Sequence, residues 1–247
     1  MVAAAARELR DREVVFVGIG LPNLACNLAR ITHAPNLVMI YESGAVGARP
    51  ERLPLSIGDP SIVKNSLMVC GMADVFQMLL QGGRVEVGFL GGAQVDRYGN
   101  INTTVIGDYK QPKVRLPGSG GAPEIAIHAK RTLVIARLDK RAFPEKVDFI
   151  TSPGQRPAGG TRKDLGMPGA GPVRVITDRG ILTANPETGE LELDAIYAGS
   201  TAEEVKAAVG WDLVVRDPLP TIDPPSAGVL RLIRDVVDPD RHFLRPD

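Results

Sequence analysis

The chain has 247 residues, of which 44% are hydrophobic and 23% are charged, a balance typical of a globular protein with a large core. Its 29 basic residues equal its 29 acidic residues, so the overall charge favours neither nucleic acid nor an anionic membrane as a partner. Cys26 and Cys70 lie far apart without a CxxC spacing, which argues against a disulfide framework and a zinc site. Because no apolar stretch approaches the roughly twenty residues of a transmembrane helix, we expect a cytoplasmic protein, and we expect no bound metal.

Short β-branched runs alternate along the chain with segments of helical period. The predicted strands span residues 14–17, 37–41, 85–90, 132–136 and 173–177. Most of these runs are apolar throughout, as in a sheet covered on both faces, which predicts parallel strands joined by helical crossovers. We therefore expect an α/β fold with an open, mostly parallel sheet and helices on both faces, forming a single domain over residues 1–247.

Four helical segments are predicted between and after these strands. They span residues 22–30, 73–81, 200–210 and 227–236. The third has the capping-box spacing of Ser200 and Glu203 at its beginning. Residues 151–172 are dense in glycine, proline and basic side chains, and a loop of this length in a compact domain is usually functional or bound to a partner.

Three glycine-containing turns follow predicted strands. They are Gly18-Ile19-Gly20, Glu42-Ser43-Gly44 and Gly91-Gly92. In open α/β sheets, ligands bind beyond the carboxyl ends of the strands, so these turns predict one site in which Gly20, Gly91 and Gly92 contact substrate. Tight turns alone would also explain the glycines.

The first of these turns begins like a dinucleotide-binding fingerprint, since GIGLPN is followed about twenty residues later by an acid, Glu42. Two residues weaken this interpretation. Asn23 replaces the third glycine, and Pro22 removes a backbone donor from the turn that would cradle a pyrophosphate. A dinucleotide-dependent oxidoreductase is therefore the less favoured alternative.

Glu42 ends an apolar run and is followed by small residues, which suits a general base, a nucleophile or one half of an ion pair. Further along the chain, residues 117–122 form a run of small residues whose amides could point together at a developing oxyanion. Asn100 has the character of a turn former that could also contact ligand.

Three segments together resemble the β subunit of family I coenzyme A transferases, most closely the glutaconate CoA-transferase type. They are ESG at 42–44, GGAQVDRYGNINTTVIGDYKQPKVRLPGSGGA at 91–122 and DFITSPG at 148–154. The similarity extends from about Val14 to VDPDRHFLRP at 237–246. In that family two related α/β chains, or two halves of one chain, share the active site. The resemblance implies that Glu42 is the catalytic glutamate and that Gly44, Gly120 and Gly121 belong to the oxyanion and CoA pocket.

The resemblance implies the β subunit of a heteromeric enzyme that moves CoA from an acyl-CoA to a carboxylic acid through a glutamyl-CoA thioester on Glu42. Coenzyme A is then a substrate, and no cofactor is expected. The expected partner is a CoA-transferase α subunit, in heterodimers that associate further. Acyl-CoA hydrolysis, carbon–carbon cleavage or decarboxylation on the same fold is the alternative. The sequence does not identify the acyl donor or the acceptor acid.

Overall fold

The computed structural model describes residues 1–244, and the chain groups into two compact units. The first unit contains Met1–Phe89 and the C-terminal segment that begins at Pro225, and the second contains Leu90–Pro224. A single domain over residues 1–247 stays a prediction. Arg245 and Pro246, which belong to the C-terminal segment of the resemblance, lie outside the described residues.

The helices within residues 1–244 are mostly short. The α-helices are α1 (Val2–Arg7), α2 (Leu21–Thr32), α3 (Met72–Asp74), α4 (Ala122–His128), α5 (Ala202–Ala207) and α6 (Ala227–Arg231). A 3₁₀ turn spans Pro60–Val63, and π-helical turns extend α3 over Val75–Leu80 and α6 over Leu232–Val237. The longer helix α2 has proline in its first turn, where the missing N–H costs nothing, and it buries Leu24, Ala25 and Leu28 on one face.

The strands of the first unit form a parallel core with an antiparallel extension. They are β1 (Val14–Phe16), β2 (Val38–Ile40), β3 (Ala45–Val46), β4 (Met68–Val69) and β5 (Val87–Leu90). Strand β1 pairs in parallel with β2 on one side and β5 on the other, while β3 and β4 add antiparallel strands beyond β2. Strand β4 is the last strand at this edge.

The strands of the second unit form a mixed sheet and two small sheets. They are β6 (Gln94–Val95), β7 (Ile101–Asn102), β8 (Val105–Gly107), β9 (Pro112–Arg115), β10 (Arg131–Ile135), β11 (Pro172–Ile176), β12 (Gly180–Ala184), β13 (Leu191–Tyr197) and β14 (Thr221–Ile222). Strands β10 and β11 pair in parallel, β11 to β13 form an antiparallel meander, and β14 pairs in parallel with β13. The small antiparallel sheets are β6–β7 and β8–β9.

The predicted α/β class with an open sheet of parallel strands is confirmed. The five predicted strands correspond to β1, β2, β5, β10 and β11. The antiparallel strands β3 and β4 have two residues each, too few to produce a periodic pattern. The predicted capping box was wrong by one residue, because Thr201 and Glu204 form it and helix α5 begins at Ala202. Both pairs satisfy the same sequence pattern, so the pattern alone does not choose between them.

Gly44 permits the close approach of two chain segments in the hairpin of β2 and β3. Its φ is +112°, and a Cβ at this position would lie 1.9 Å from the Cys70 carbonyl oxygen. The Cys70 N–H in turn donates to the Gly44 carbonyl at 3.0 Å. Only glycine therefore allows the turn after β2 to pack directly on the segment that follows β4.

Gly44→Ala should lower the free energy of unfolding by about 2 to 4 kcal/mol, because it adds both backbone strain and a clash with main-chain atoms. Denaturant unfolding of the purified protein measures this. Gly18→Ala is the matched control, since a Cβ at Gly18 has no atom within 4 Å. Equal stability of the two variants would contradict the packing assigned to Gly44.

Arg162 organises the loop 151–172 from inside. Its side chain is buried, and its five N–H groups donate to main-chain carbonyl oxygens. The acceptors are Gly169 (2.9 Å), Pro153 (3.2 Å), Gly154 (3.1 Å), Ala126 (2.7 Å) and Ile127 (3.3 Å). Burial lowers the pKa of the guanidinium to about 10, so it remains charged at neutral pH. One cation thus joins the loop to the last turn of α4.

Arg162→Met should lower the free energy of unfolding by at least about 3 kcal/mol, because buried carbonyls lose their donors. Arg162→Lys should have a smaller effect, since an ammonium can satisfy three of the acceptors. Thermal and denaturant unfolding measure the changes. Lys163→Met, at the exposed neighbouring position, is the control and should alter stability by less than about 0.5 kcal/mol. A wild-type melting profile for Arg162→Met would refute the assigned role.

Candidate functional site

Glu42 lies on the turn that joins β2 to β3 in the first unit. Its side chain is half-buried, and the following residue, Ser43, is exposed. The turn closes through the Gly44 N–H, which donates to the Tyr41 carbonyl at 3.0 Å. Within residues 1–244 the Glu42 carboxylate has no hydrogen-bond or ion-pair partner. Its backbone is therefore fixed while its carboxylate stays available to react.

Gly20 lies at the carboxyl end of the strand next to β2. Strands β1 and β2 are parallel and in register from Val14 with Val38 to Phe16 with Ile40, so the turns that follow them emerge at the same edge. Gly20 caps α2 with a φ of +98°, and a Cβ there would meet no atom within 4 Å. The predicted proximity of the turn at 18–20 to the Glu42 turn is thus present in the first unit.

Gly120 and Gly121 lie in the second unit, immediately before α4. Gly120 has a φ of +46° and open space where a Cβ would be, and Gly121 is the N-cap of the helix. No acceptor for the N–H groups of Gly120 and Gly121 occurs in the part of the chain that the structure describes. Unpaired backbone donors of this kind are suited to an anionic oxygen.

The strand that precedes this glycine loop holds it in place. Thr103 accepts from the Gly118 N–H through its carbonyl at 2.8 Å and donates its hydroxyl to the Gly118 carbonyl at 2.7 Å. The Thr103 N–H donates to the Thr151 hydroxyl at 2.9 Å. Buried Asn102 donates to the Gln94 side-chain oxygen and to the Val105 carbonyl. The residues that carry the family resemblance at 91–122 and 148–154 thus form one hydrogen-bonded frame around the loop.

Asn100 belongs to that frame. Its side chain is 2% exposed, donates to the Asp96 carboxylate at 3.0 Å and accepts from the Gly154 N–H at 2.7 Å. Asp96 also accepts from the Tyr98 and Asn100 N–H groups, which is the turn predicted from the sequence, and its burial raises the pKa of the carboxyl. A substrate contact for Asn100 stays a prediction.

Gly91 and Gly92 directly follow β5. A Cβ at Gly92 would lie 2.3 Å from the Ile101 side chain, and one at Gly91 would lie 3.4 Å from the Ile135 carbonyl oxygen. Packing within the second unit is therefore sufficient to explain Gly92. Substrate binding by either glycine stays a prediction.

A group of polar residues on α2 is a feature that sequence reasoning missed. In the sequence, Asn23 stands out only as a departure from the dinucleotide fingerprint, yet its amide donates to the Tyr41 hydroxyl at 2.7 Å in the interior. Asn23, Asn27 and Arg30 recur at a spacing of four and three residues, which places them on one face of the helix. That spacing is the signal from which the group could have been found.

The described residues contain neither a cluster of three metal-ligating side chains nor a helix that is long and apolar enough to cross a membrane. The same residues do not supply the glycine-rich helix N-terminus of a dinucleotide site, because Leu21 and Pro22 form the first turn of α2.

Comparison with known proteins identifies the family. The family model described as coenzyme A transferase matches residues 1–208. One of the two subunits of the 3-oxoadipate CoA-transferase of Pseudomonas knackmussii is 53% identical over 85% of this chain and 81% of that protein. The corresponding subunit of the glutaconate CoA-transferase of Acidaminococcus fermentans is 37% identical over 97% of this chain and 91% of that protein.

Solved structures agree with this. The crystal structure of glutaconate coenzyme A-transferase from Acidaminococcus fermentans superposes with a TM-score of 0.92 and 35% identity, covering 100% of this chain and 96% of that one. The decarboxylase AibA/AibB superposes with a TM-score of 0.84 and 26% identity, covering 98% and 94% of the two chains.

The resemblance predicted from residues 42–44, 91–122 and 148–154 is confirmed. Identity to the 3-oxoadipate protein exceeds identity to the glutaconate protein, so glutaconate as the substrate stays a prediction. With the family model matched over most of its length, this chain belongs to the coenzyme A transferase family.

Proposed function

We propose that the chain is the β subunit of a two-subunit CoA-transferase in which Glu42 is the nucleophile. The observation that carries the proposal is the half-buried Glu42 carboxylate, which has no partner among residues 1–244 and stands on a turn closed by main-chain hydrogen bonds. An acid with a purely structural role would be paired. The two CoA-transferase relatives are each named as one subunit of their enzyme, which supports the same role for this chain.

The chemistry proceeds through two acyl exchanges. A Glu42 oxygen attacks the thioester carbonyl of the acyl-CoA, the carbon–sulfur bond breaks, and CoA leaves as a thiolate from a mixed anhydride. The thiolate then attacks the γ-carbonyl of Glu42 and releases the donor acid as a carboxylate, leaving a glutamyl-CoA thioester. An acceptor carboxylate reverses both steps. No net proton is taken up or lost, and the free energy of the thioester is conserved.

The glycines have distinct parts in this proposal. Gly120 and Gly121 donate their N–H groups to the oxyanion of the tetrahedral intermediate, since both groups lack an acceptor among residues 1–244. Gly20 and Gly44 present no side chain beside the Glu42 turn, which leaves room for the pantetheine arm of CoA. Coenzyme A enters as a substrate, and the steps above require no cofactor.

The acceptor that we propose is a short dicarboxylic acid. The two CoA-transferase relatives are named for 3-oxoadipate and glutaconate, and both compounds carry a second carboxylate. The 3-oxoadipate relative has the higher identity, which makes a 3-oxo dicarboxylic acid the first compound to assay.

A second candidate is an acyl-CoA decarboxylase or hydrolase, which the similarity to the decarboxylase AibA/AibB supports. The two reactions differ from transfer in their need for an acceptor. Transfer consumes the acceptor acid and yields a new acyl-CoA, whereas hydrolysis releases free CoA and decarboxylation releases carbon dioxide without an acceptor.

The exposed edge of the first unit supports an α-subunit partner. Leu67, Met68, Val69 and Met72 form an apolar patch on and beside the edge strand β4, termed the β4 patch here, with Leu67 77% and Val69 61% exposed. The next residue after β4, Cys70, donates to the Gly44 carbonyl, so the patch is continuous with the Glu42 hairpin. An exposed apolar edge strand needs a cover to prevent indiscriminate pairing, and we propose that the α subunit supplies it.

The double variant Met68→Lys/Val69→Lys should weaken association with the α subunit at least about tenfold, because two ammonium groups would have to be desolvated in the interface. Co-expression followed by size-exclusion chromatography and a titrated binding assay measures this. Val214→Lys, which charges an apolar side chain that is 52% exposed in the second unit, is the control and should assemble normally. Assembly of the double variant at wild-type affinity, or full transferase turnover by this chain alone, would refute the assignment.

Acyl-CoA supplied to the assembled enzyme without an acceptor should load CoA onto Glu42. Mass spectrometry of the peptide containing residues 36–49 should show the thioester, or its hydroxylamine-trapped product. Only a nucleophile becomes covalently modified, so the adduct separates this role from that of a general base. Glu42→Gln and Glu42→Ala should lower turnover by several orders of magnitude.

Retained binding of CoA by Glu42→Gln is the control for that experiment, because the amide keeps the shape of the side chain. Near-normal transfer by either variant, or labelling of another residue, would return Glu42 to an ordinary acid at a strand end. Acceptor-independent release of free CoA or carbon dioxide would favour the second candidate.

A further inference from the structure

The backbone of Tyr41 anchors the turn that carries Glu42. The Tyr41 carbonyl accepts from the Gly44 N–H at 3.0 Å, and the Tyr41 N–H donates to the Ala45 carbonyl at 3.0 Å. Both hydrogen bonds that close the turn therefore use the residue immediately before Glu42. The Tyr41 side chain is fully buried, so the position of its ring in the core determines where the turn begins.

The Tyr41 hydroxyl is held by the polar stripe of α2, which consists of Asn23, Asn27 and Arg30. The Asn23 amide donates to the hydroxyl at 2.7 Å. The Asn27 amide donates to the Asn23 side-chain oxygen at 2.6 Å, and the Arg30 guanidinium donates to the Asn27 oxygen at 2.8 Å. The contacts form an unbroken chain along one face of the helix, ending on Tyr41.

The other end of the polar stripe reaches the second arm of the same hairpin. Arg30 donates to the Ala48 carbonyl at 2.8 Å, just beyond β3. The arms are paired with each other through Ile40 with Val46, and the Gly47 N–H donates to the Met39 carbonyl at 2.7 Å. Helix α2 therefore contacts both arms of the hairpin whose turn presents Glu42.

A polar chain is an expensive way to pack a helix against a hairpin. Asn23 and Tyr41 are almost completely buried, and each would be destabilising there without a hydrogen-bond partner. Burial raises the pKa of Tyr41 to about 12, so the hydroxyl remains neutral and accepts the Asn23 hydrogen bond at physiological pH. Apolar side chains could fill the same volume, but a fully satisfied polar network specifies one arrangement where apolar packing tolerates several.

We propose that Tyr41 and the polar stripe are positioning residues for Glu42: they fix the hairpin at the placement from which the carboxylate attacks the thioester. This rests on the proposed role of Glu42 as nucleophile. The carboxylate has no side-chain partner within residues 1–244 that could orient it before substrate binds. Its placement therefore depends on its own backbone, which Tyr41 and Arg30 hold through opposite arms of the hairpin.

Tyr41→Phe in the assembled enzyme removes only the hydroxyl and leaves the ring in the core. A displacement of the nucleophile by a fraction of an ångström should lower kcat by about ten- to a hundredfold. The KM for acyl-CoA should change less than about threefold, because the groups that bind CoA are untouched and only attack in the transition state is impaired. Single-turnover labelling should show slower formation of the Glu42 thioester that still reaches the wild-type extent.

Two further variants separate positioning from general stability. Arg30→Lys keeps the charge but removes the planar fork that joins Asn27 to Ala48, and it should show the same fall in kcat with an unchanged KM. Tyr109→Phe, at an exposed tyrosine of the β8–β9 hairpin, is the matched control and should retain wild-type kcat. In the double variant Asn23→Ala/Tyr41→Phe, kcat should fall no further than in the more affected single variant, because both substitutions break the same hydrogen bond.

The outcomes distinguish this inference from the proposed function on which it rests. If the wild-type enzyme does not label Glu42, the proposed function fails. If the wild-type enzyme labels Glu42 but Tyr41→Phe and Arg30→Lys form the thioester at the wild-type rate, the positioning role alone is overturned. Loss of activity caused only by loss of folded protein, with normal kcat for the active fraction, would also overturn it.

Discussion

Hydrogen bonds from buried polar side chains to main-chain groups hold the loops of this protein in place. A reacting carboxylate or an oxyanion-binding amide must remain without an internal partner, so neither can fix its own position. In both units the neighbouring groups do this instead: Tyr41 closes the turn beside Glu42, and Thr103 holds the chain beside Gly120. The rigidity of the site is thus supplied by residues that need not touch the substrate.

The same requirement explains why glycine occurs where it does. Gly44 is required by a close approach, because the Cys70 carbonyl occupies the space of a side chain. Gly118 and Gly120 face open space and have positive φ values, so the shape of the loop, together with access to its N–H groups, explains them. One residue type therefore serves packing in the first unit and presentation of backbone donors in the second.

The fold alone does not determine the reaction. A decarboxylase shares it at a TM-score of 0.84, as does a CoA-transferase at 0.92. Chemistry on a shared scaffold is decided by the side chains placed at the site. In this chain the decisive side chain is the carboxylate of Glu42, and the exposed apolar β4 patch next to it is the feature that an isolated chain would have least reason to keep.

The sequence by itself determined the α/β class, the parallel strands, the position of Glu42 at a strand end and the family, because hydrophobic period and long motifs are local properties of the chain. It also placed the turn at Asp96 and Asn100 correctly. Only the tertiary structure decided that Arg162 binds carbonyls of α4 more than thirty residues earlier, that the segment after β4 packs on Gly44, and that Asn23 meets Tyr41. Such contacts join residues distant in sequence, and each depends on where the rest of the chain has already placed its partner, so no local pattern encodes them.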